Sequence, residues 1–142
     1  MSLTKMIAIG LTIFVLLIIA IIIFRRKPKK LKNNQFIAKW RELQQLCKAR
    51  PDWPEALKSA DKLLDSALKK RRFKGKTTGA RLMAAQRQIK DNDGIWAAHN
   101  LTKKIIEAQA ADKAIKLGKI EVRQSLESYQ QALVDLGAFK RG

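Results

Sequence analysis

The sequence predicts an all-α protein: a single transmembrane helix at the N-terminus, then an antiparallel bundle of four main helices plus one short helix. Three observations predict it. A run of 19 non-ionic residues, Met6 to Phe24, ends in six basic residues within eight, Arg25 to Lys32. Beyond that run, apolar residues recur every three or four positions, the spacing of one helix face. No segment of useful length alternates apolar and polar residues with the period of two that a half-buried strand needs.

The first helix is read as a membrane span on length. At 1.5 Å of rise per residue, roughly 20 residues cross the ~30 Å hydrocarbon layer. A secretory signal is the rival reading, but its apolar stretch is usually about 7 to 15 residues and ends in small residues at a cleavage site. Here Ile21, Ile22, Ile23 and Phe24 run straight into Arg25.

The flanks set the expected orientation. Lys and Arg favour the cytoplasmic side, and Lys5 with the amino terminus stands against Arg25, Arg26, Lys27, Lys29, Lys30 and Lys32. The expectation is a plasma (inner) membrane protein with residues 1–5 outside, a span at 6–24, a basic juxtamembrane linker at 25–34 and a cytoplasmic bundle at 35–139. Residues 140–142 form a tail. Cys47 is the sole cysteine, so no intramolecular disulfide framework exists. It falls on an apolar stripe and is expected to be a buried thiol.

The bundle is read helix by helix. Phe36, Trp40, Leu43 and Cys47 mark one face of the first helix, with Asn33 or Asn34 as its cap. In "RPDWPEAL", Asp52 suits a cap, Pro54 a first turn, and Glu55 a capping box with Asp52. Leu57, Ala60, Leu64 and Leu68 carry the second stripe, ending near Lys70. Thr77 or Thr78 caps a short helix bearing Leu82, Met83, Ala85 and Ile89, which the polar run "KDNDG" ends.

Ile95, His99, Thr102 and Ile106 mark the inner edge of the next helix, with Trp96 and Ile105 beside it. Its end is expected at Leu117, with Gly118 in the left-handed conformation. The last helix shows Val122, Leu126, Tyr129, Leu133 and Leu136 in steps of four and three, with Gly137 as its cap.

Charge is unevenly placed. The net charge is +18; residues 1–90 hold 22 Lys or Arg against 5 acids, and residues 91–142 hold 8 against 7. Beside the juxtamembrane run, a second cluster, "KKRRFKGK", brings Lys69, Lys70, Arg71, Arg72, Lys74 and Lys76 to the exit of the second bundle helix. A single charge run is ordinarily a solvated face, and the juxtamembrane run has a topogenic role of its own. Two runs on a tethered domain point further, to an anionic surface, with Phe73 placed to insert at the interface. Lipid and nucleic acid both offer phosphates, and phosphate contacts carry no sequence information.

Enzymatic constellations are sparse. One His and one Cys leave no Cys-x-x-Cys or His-x-x-x-His spacing, so neither metal nor cofactor is expected. "KGKTTG" has the Lys and Thr that close a phosphate-binding loop but lacks the earlier glycine and the preceding strand. Asp91 and Asp93 sit in a turn, not as a glycosidase-like pair. His99 points toward the core stripe, and a lone core histidine is ordinarily structural; general-base work needs an oriented partner that the sequence does not name.

The runs "KGKTTGARLMAAQ", "GIWAAHNLTKKIIEA" and "SYQQALVDLGAF" resemble an uncharacterised bacterial family of small membrane-anchored helical proteins, over roughly Trp40 to Phe139. That family's motif is similar to that of HEPN domains, helical bundles that include metal-independent ribonucleases and many inactive RNA- or partner-binding relatives. The resemblance implies a bundle of four to five helices, often paired through the motif-bearing faces. It also implies an Arg-Asn pair followed four residues later by His. This chain has Thr102 and Lys103 at the pair and Glu107 at the His, so the carriers of RNA cleavage are missing.

Three functional expectations follow. The first is a non-enzymatic binding or scaffold module, held by its anchor at the cytoplasmic face, that recruits a protein partner, self-associates, or clamps anionic lipid or RNA. Tethering raises the local concentration so that weak contacts suffice. The second is an inactive or divergent HEPN-type RNA-binding or nuclease-derived protein of a defence or toxin-antitoxin system. A small subunit of a larger membrane assembly is a third, with Trp40, Trp53 and Trp96 as candidate contacts.

Overall fold

The computed structural model describes residues 2–26 and 31–139, without the side chains of Arg25 and Arg26. The described chain is all-helical, with helices α1 (Leu3–Arg26), α2 (Asn33–Leu46), α3 (Trp53–Lys70), α4 (Thr78–Ala84), α5 (Asn92–Ala110) and α6 (Lys119–Asp135). A single turn of 3-10 helix, Arg50–Asp52, leads into α3.

The stretch Leu3–Phe24 in α1 has 22 residues, long and apolar enough to cross a membrane, and none of it is buried by the rest of the chain. At 1.5 Å per residue it measures about 33 Å. Ile, Leu, Val and Phe side chains project all around it and every one is exposed, so the apolar surface has no partner among the described residues.

The other helices form a bundle around α3, which touches α2, α4, α5 and α6. The reason lies in its residues: Ala56, Leu57, Ala60, Leu63, Leu64, Ala67 and Leu68 are all buried. They cover more than one face of the helix, and the alanines let neighbouring helices approach closely. Phe36, Trp40 and Leu43 of α2 close one side, while Ile95, Ile105, Tyr129 and Leu133 of α5 and α6 close the other.

Three helices end alike. After α3, the Phe73 amide donates to Leu68 O at 3.1 Å and the Arg72 amide to Lys69 O at 2.9 Å. Arg72 takes φ 63°, the left-handed position of a Schellman cap. Asp112 (φ 52°) does the same after α5 and Gly137 (φ 82°) after α6. Two of these three caps use residues whose Cβ disfavours the conformation.

Several expectations are corrected here. The α2 helix opens at Asn33, and its N-cap position is Lys32, without a side-chain cap. Leu31, assigned to the linker, is buried in the core. Asp52 precedes α3 but caps nothing with its side chain, and Glu55 instead meets Lys58 at 3.4 Å. The "KDNDG" run starts a helix rather than ending one: Asp91 Oδ1 accepts from the Gly94 amide at 3.0 Å.

The α5 helix stops at Ala110, capped by Asp112, while Gly118 has φ −80° and opens α6. Ile105 is buried and Ile106 exposed, the reverse of the expected pair, and Met83 is exposed. In each case two adjacent apolar residues compete for one inward position, and only the neighbouring helix decides between them. Cys47 is half-buried; its thiol donates to Leu43 O at 3.4 Å, and burial pushes its pKa up.

Candidate functional site

The basic cluster at the end of α3 has its position fixed by α2. Lys70 Nζ lies 5.3 Å from the centroid of the Phe36 ring, so the last turn of α3 sits beside the first turn of α2. The Asn33 amide, with its nitrogen turned toward the carbonyls as their hydrogen bonding requires, reaches Gly137 O at 3.0 Å and Ala138 O at 3.1 Å. That brings the end of α6 to the same place. Lys90, before α5, donates its amide to Asp135 Oδ2 at 3.0 Å.

One end of the bundle therefore gathers the start of α2, the end of α3, the α4–α5 link and the end of α6. Lys32, Lys69, Lys70, Arg72, Arg87 and Lys90 are exposed there. Asp91 and Asp93 at the start of α5 are the exposed acidic exceptions. The far end joins the α2–α3 turn to the α5–α6 link around Arg50, Trp53, Ile115 and Leu117 and carries mixed charge.

The loop after α3 doubles back along that helix. Arg81, 8 % exposed, holds it: its Nε donates to Asp65 Oδ1 at 2.7 Å and its Nη1 to Gly75 O at 2.6 Å. Lys69 adds a second contact to Asp65 at 3.1 Å. Burial raises the Asp65 pKa, but hydrogen bonds from Arg81, Lys69 and Thr78 outweigh it and hold the carboxyl below its usual value. The α4 helix is then capped by Thr77, whose side chain accepts from the Ala80 amide at 3.1 Å. Lys74 and Lys76 are exposed on this returning loop.

The six cluster residues are not equivalent. Arg71 is half-buried and donates from Nη2 to Gln88 Oε1 at 3.2 Å, so it is turned inward. Phe73, expected to be free for an interface, packs partly buried against the core. The Schellman turn at Arg72 is the reason, because it folds the next residue back over the last turn of α3. Of the juxtamembrane residues, Lys27, Lys29, Lys30 and the side chains of Arg25 and Arg26 lie outside the described residues.

Arg87 and Lys90 were not singled out by the sequence. Each is a lone cation with no basic neighbour in the chain, and only the bundle brings them to the basic end.

A second polar feature lies inside the bundle. Asp61 Oδ1 accepts from Tyr129 Oη at 2.9 Å and stands 2.8 Å from His99 Nδ1. Thr102 Oγ1 is 2.7 Å from Tyr129 Oη and donates to Ala98 O at 3.1 Å. The single tyrosine proton goes to Asp61, so the one Thr102 hydroxyl proton is shared between Ala98 O and the tyrosine oxygen. This is the oriented partner for His99 that the sequence left unnamed. His99 Nε2 faces Gly79, with the Trp96 ring edge-on at 5.9 Å. Thr102 is thus tied up in the core, whereas Lys103 and Glu107 are exposed on α5.

Of the tryptophans, Trp40 is buried and its ring lies tilted against that of Phe139, centroids 5.8 Å apart. Trp53 is half-buried and donates to Cys47 O at 2.9 Å. No group of three or more His, Cys, Asp or Glu among the described residues is arranged to hold a metal ion.

No protein-family model, curated protein or solved structure matches this chain.

Proposed function

We propose that this chain is a membrane-anchored, non-enzymatic binding protein whose bundle sits with its basic end against an anionic leaflet. In this reading α1 is retained as the anchor, the residues before it lie outside, and the bundle is cytoplasmic. The carrying observation is that the helix which follows the anchor enters the bundle at its basic end, shown by Lys70 over Phe36 at 5.3 Å. Only residues 27–32 separate α1 from α2, and six extended residues reach about 20 Å at most. The exposed cations of that end are therefore held close to the headgroups.

Each Lys or Arg near an anionic surface gains about 1 kcal/mol, fading over a Debye length of about 8 Å. Six such groups on one end outweigh the two acids at its edge. Raising salt weakens the contact, and the anchor keeps the bundle at the surface throughout.

The bundle is read as HEPN-like, from the resemblance of its sequence and from its four longer helices and one short one. On that reading it is a non-cleaving relative. Thr102 and Lys103 supply no guanidinium for a developing phosphorane charge, and Glu107 replaces the histidine.

The test uses the full chain in lipid nanodiscs, with Lys74→Cys carrying a fluorophore in a Cys47→Ser background, quenched by headgroup-labelled lipid. Strong quenching in anionic discs that falls in zwitterionic discs, in high salt, and with Arg72, Arg87 and Lys90 changed to Glu supports the reading. Equal quenching in both lipids overturns the clamp. Tight binding of single-stranded RNA by the disc-held chain would turn the basic end into an RNA site, and cleavage would overturn the non-enzymatic reading.

A further inference from the structure

In a chain with 30 Lys and Arg, one groove carries carboxylates and no cation on its lining. It lies between α5 and α6, about 520 Å³ in volume, with Asp91, Glu121 and Glu127 on its walls. Gly94, Ala97 and Ala98 form its narrow floor with Ser125 and Ser128. The two helices meet tightly there: a Cβ on Gly94 would come within 2.8 Å of Ser128 Oγ.

Ser125 gives the groove its second mark. It is only 7 % exposed, lines the groove, and its hydroxyl has no hydrogen-bond partner among the described residues. Glu121 and Glu127 likewise have no ion-pair partner among the described residues. This hydroxyl and two carboxylates without ion pairs make the groove anionic and rich in acceptors. A lysine ammonium, with three donors and no acceptor, fits it.

The chain carries such lysines on another of its faces. The groove between α2 and α3 is lined by Lys39 and Lys62 over Leu43, Leu46 and Leu63, with Glu42 beside them. Both lysines are exposed and unpaired among the described residues. The two grooves share no residue, so one molecule can use both at once.

We propose that these two faces bind each other between copies of this chain, with Lys39 and Lys62 of one molecule entering the acidic α5–α6 groove of the next. Copies anchored in one membrane stand with the same end down, so side-by-side contact brings flank to flank. The contact is head-to-tail rather than two-fold, and such contacts add further copies in a row. Overall repulsion is limited, because +17 of the net charge lies in residues 1–90, much of it beside the membrane, and residues 91–142 hold 8 basic against 7 acidic groups. Rim charges of this kind fix which faces meet more than they add affinity.

The proposal rests on the anchored reading above only for the shared upright orientation. The test follows energy transfer between donor- and acceptor-labelled full-length chains in anionic vesicles near physiological salt, while loop quenching in the same vesicles reports the lipid clamp separately. Wild-type copies are expected to associate. The pair Glu121→Lys with Glu127→Lys should weaken self-association about tenfold, from two lost and two repulsive rim contacts, and so should Lys39→Glu with Lys62→Glu.

An equimolar mixture of the two variants restores opposite charge at both kinds of contact, so transfer returns. That recovery also shows that both variants are folded. Monomeric wild type, reversals without effect, or a mixture that stays dissociated would each overturn the proposal.

Discussion

Tyr129 and Asp61, 68 residues apart in the chain, are joined by a hydrogen bond of 2.9 Å from the phenol to the carboxylate. The bond ties α6 to α3 at the point where α5 delivers His99 and Thr102. Burial first, and the neighbouring Asp61 charge second, push the Tyr129 pKa far above its ordinary value. The phenol therefore keeps its proton, and this bond, through alkaline conditions.

Tyr129→Phe leaves the packing but removes the hydroxyl, so Asp61 loses one donor and Thr102 keeps only Ala98 O as its acceptor. The expected cost is about 1–3 kcal/mol, read as a lower midpoint in denaturant. A midpoint equal to wild type would mean that water replaces the phenol without loss.

Arg72 holds φ 63° at the end of α3, where glycine is at ease. Arg72→Gly should raise stability by about 1 kcal/mol, measured by thermal unfolding, while removing one cation from the basic end. The same variant should lower loop quenching in anionic discs, so stability and membrane contact move in opposite directions.

Arg81→Gln tests the strut beneath the basic loop. Removing the guanidinium takes a charge-assisted hydrogen bond from Asp65, at a cost of about 2 kcal/mol near neutral pH. The Asp65 pKa is depressed in the folded protein, so its stabilisation is present above the unfolded value of about 3.9 and is lost as pH falls through the lower folded value. Denaturant midpoints measured on the acid side should therefore fall less steeply in the variant than in wild type. Parallel curves would show that Lys69 and Thr78 suffice.

Gly75→Ala has no room. Its Cβ would stand 2.7 Å from Ala80 Cβ and 2.8 Å from the Arg81 amide nitrogen. Neither of these neighbours can rotate away, so the loop has to shift, at about 1–3 kcal/mol. Crosslinking between probes at positions 74 and 62 would report the displacement.

How much of this was legible in the sequence differs from element to element. The stripe of α3 was plain because Leu57, Ala60, Leu64 and Leu68 repeat at helical spacing whatever surrounds them. The end of α5 was not, because Ala111 and Asp112 look like more helix. The stop comes from a left-handed turn at Asp112, and an aspartate there is marked far less clearly than a glycine. Phe73 was misjudged for a related reason: among lysines it looks solvent-directed, but the turn at Arg72 swings it onto Leu68.

The sequence by itself determined the helical class, the long apolar N-terminal helix and the concentration of positive charge in the first 90 residues. These are properties of composition and period, which hold before any two helices meet. Only the tertiary structure decided that the end of α3 lies beside the start of α2, that Arg87 and Lys90 join it, and that the one groove among those described with carboxylates and no cation runs between α5 and α6. Each of these depends on contacts between residues far apart in the chain. Such contacts are set by which side chains fill the core together, and no local pattern encodes them.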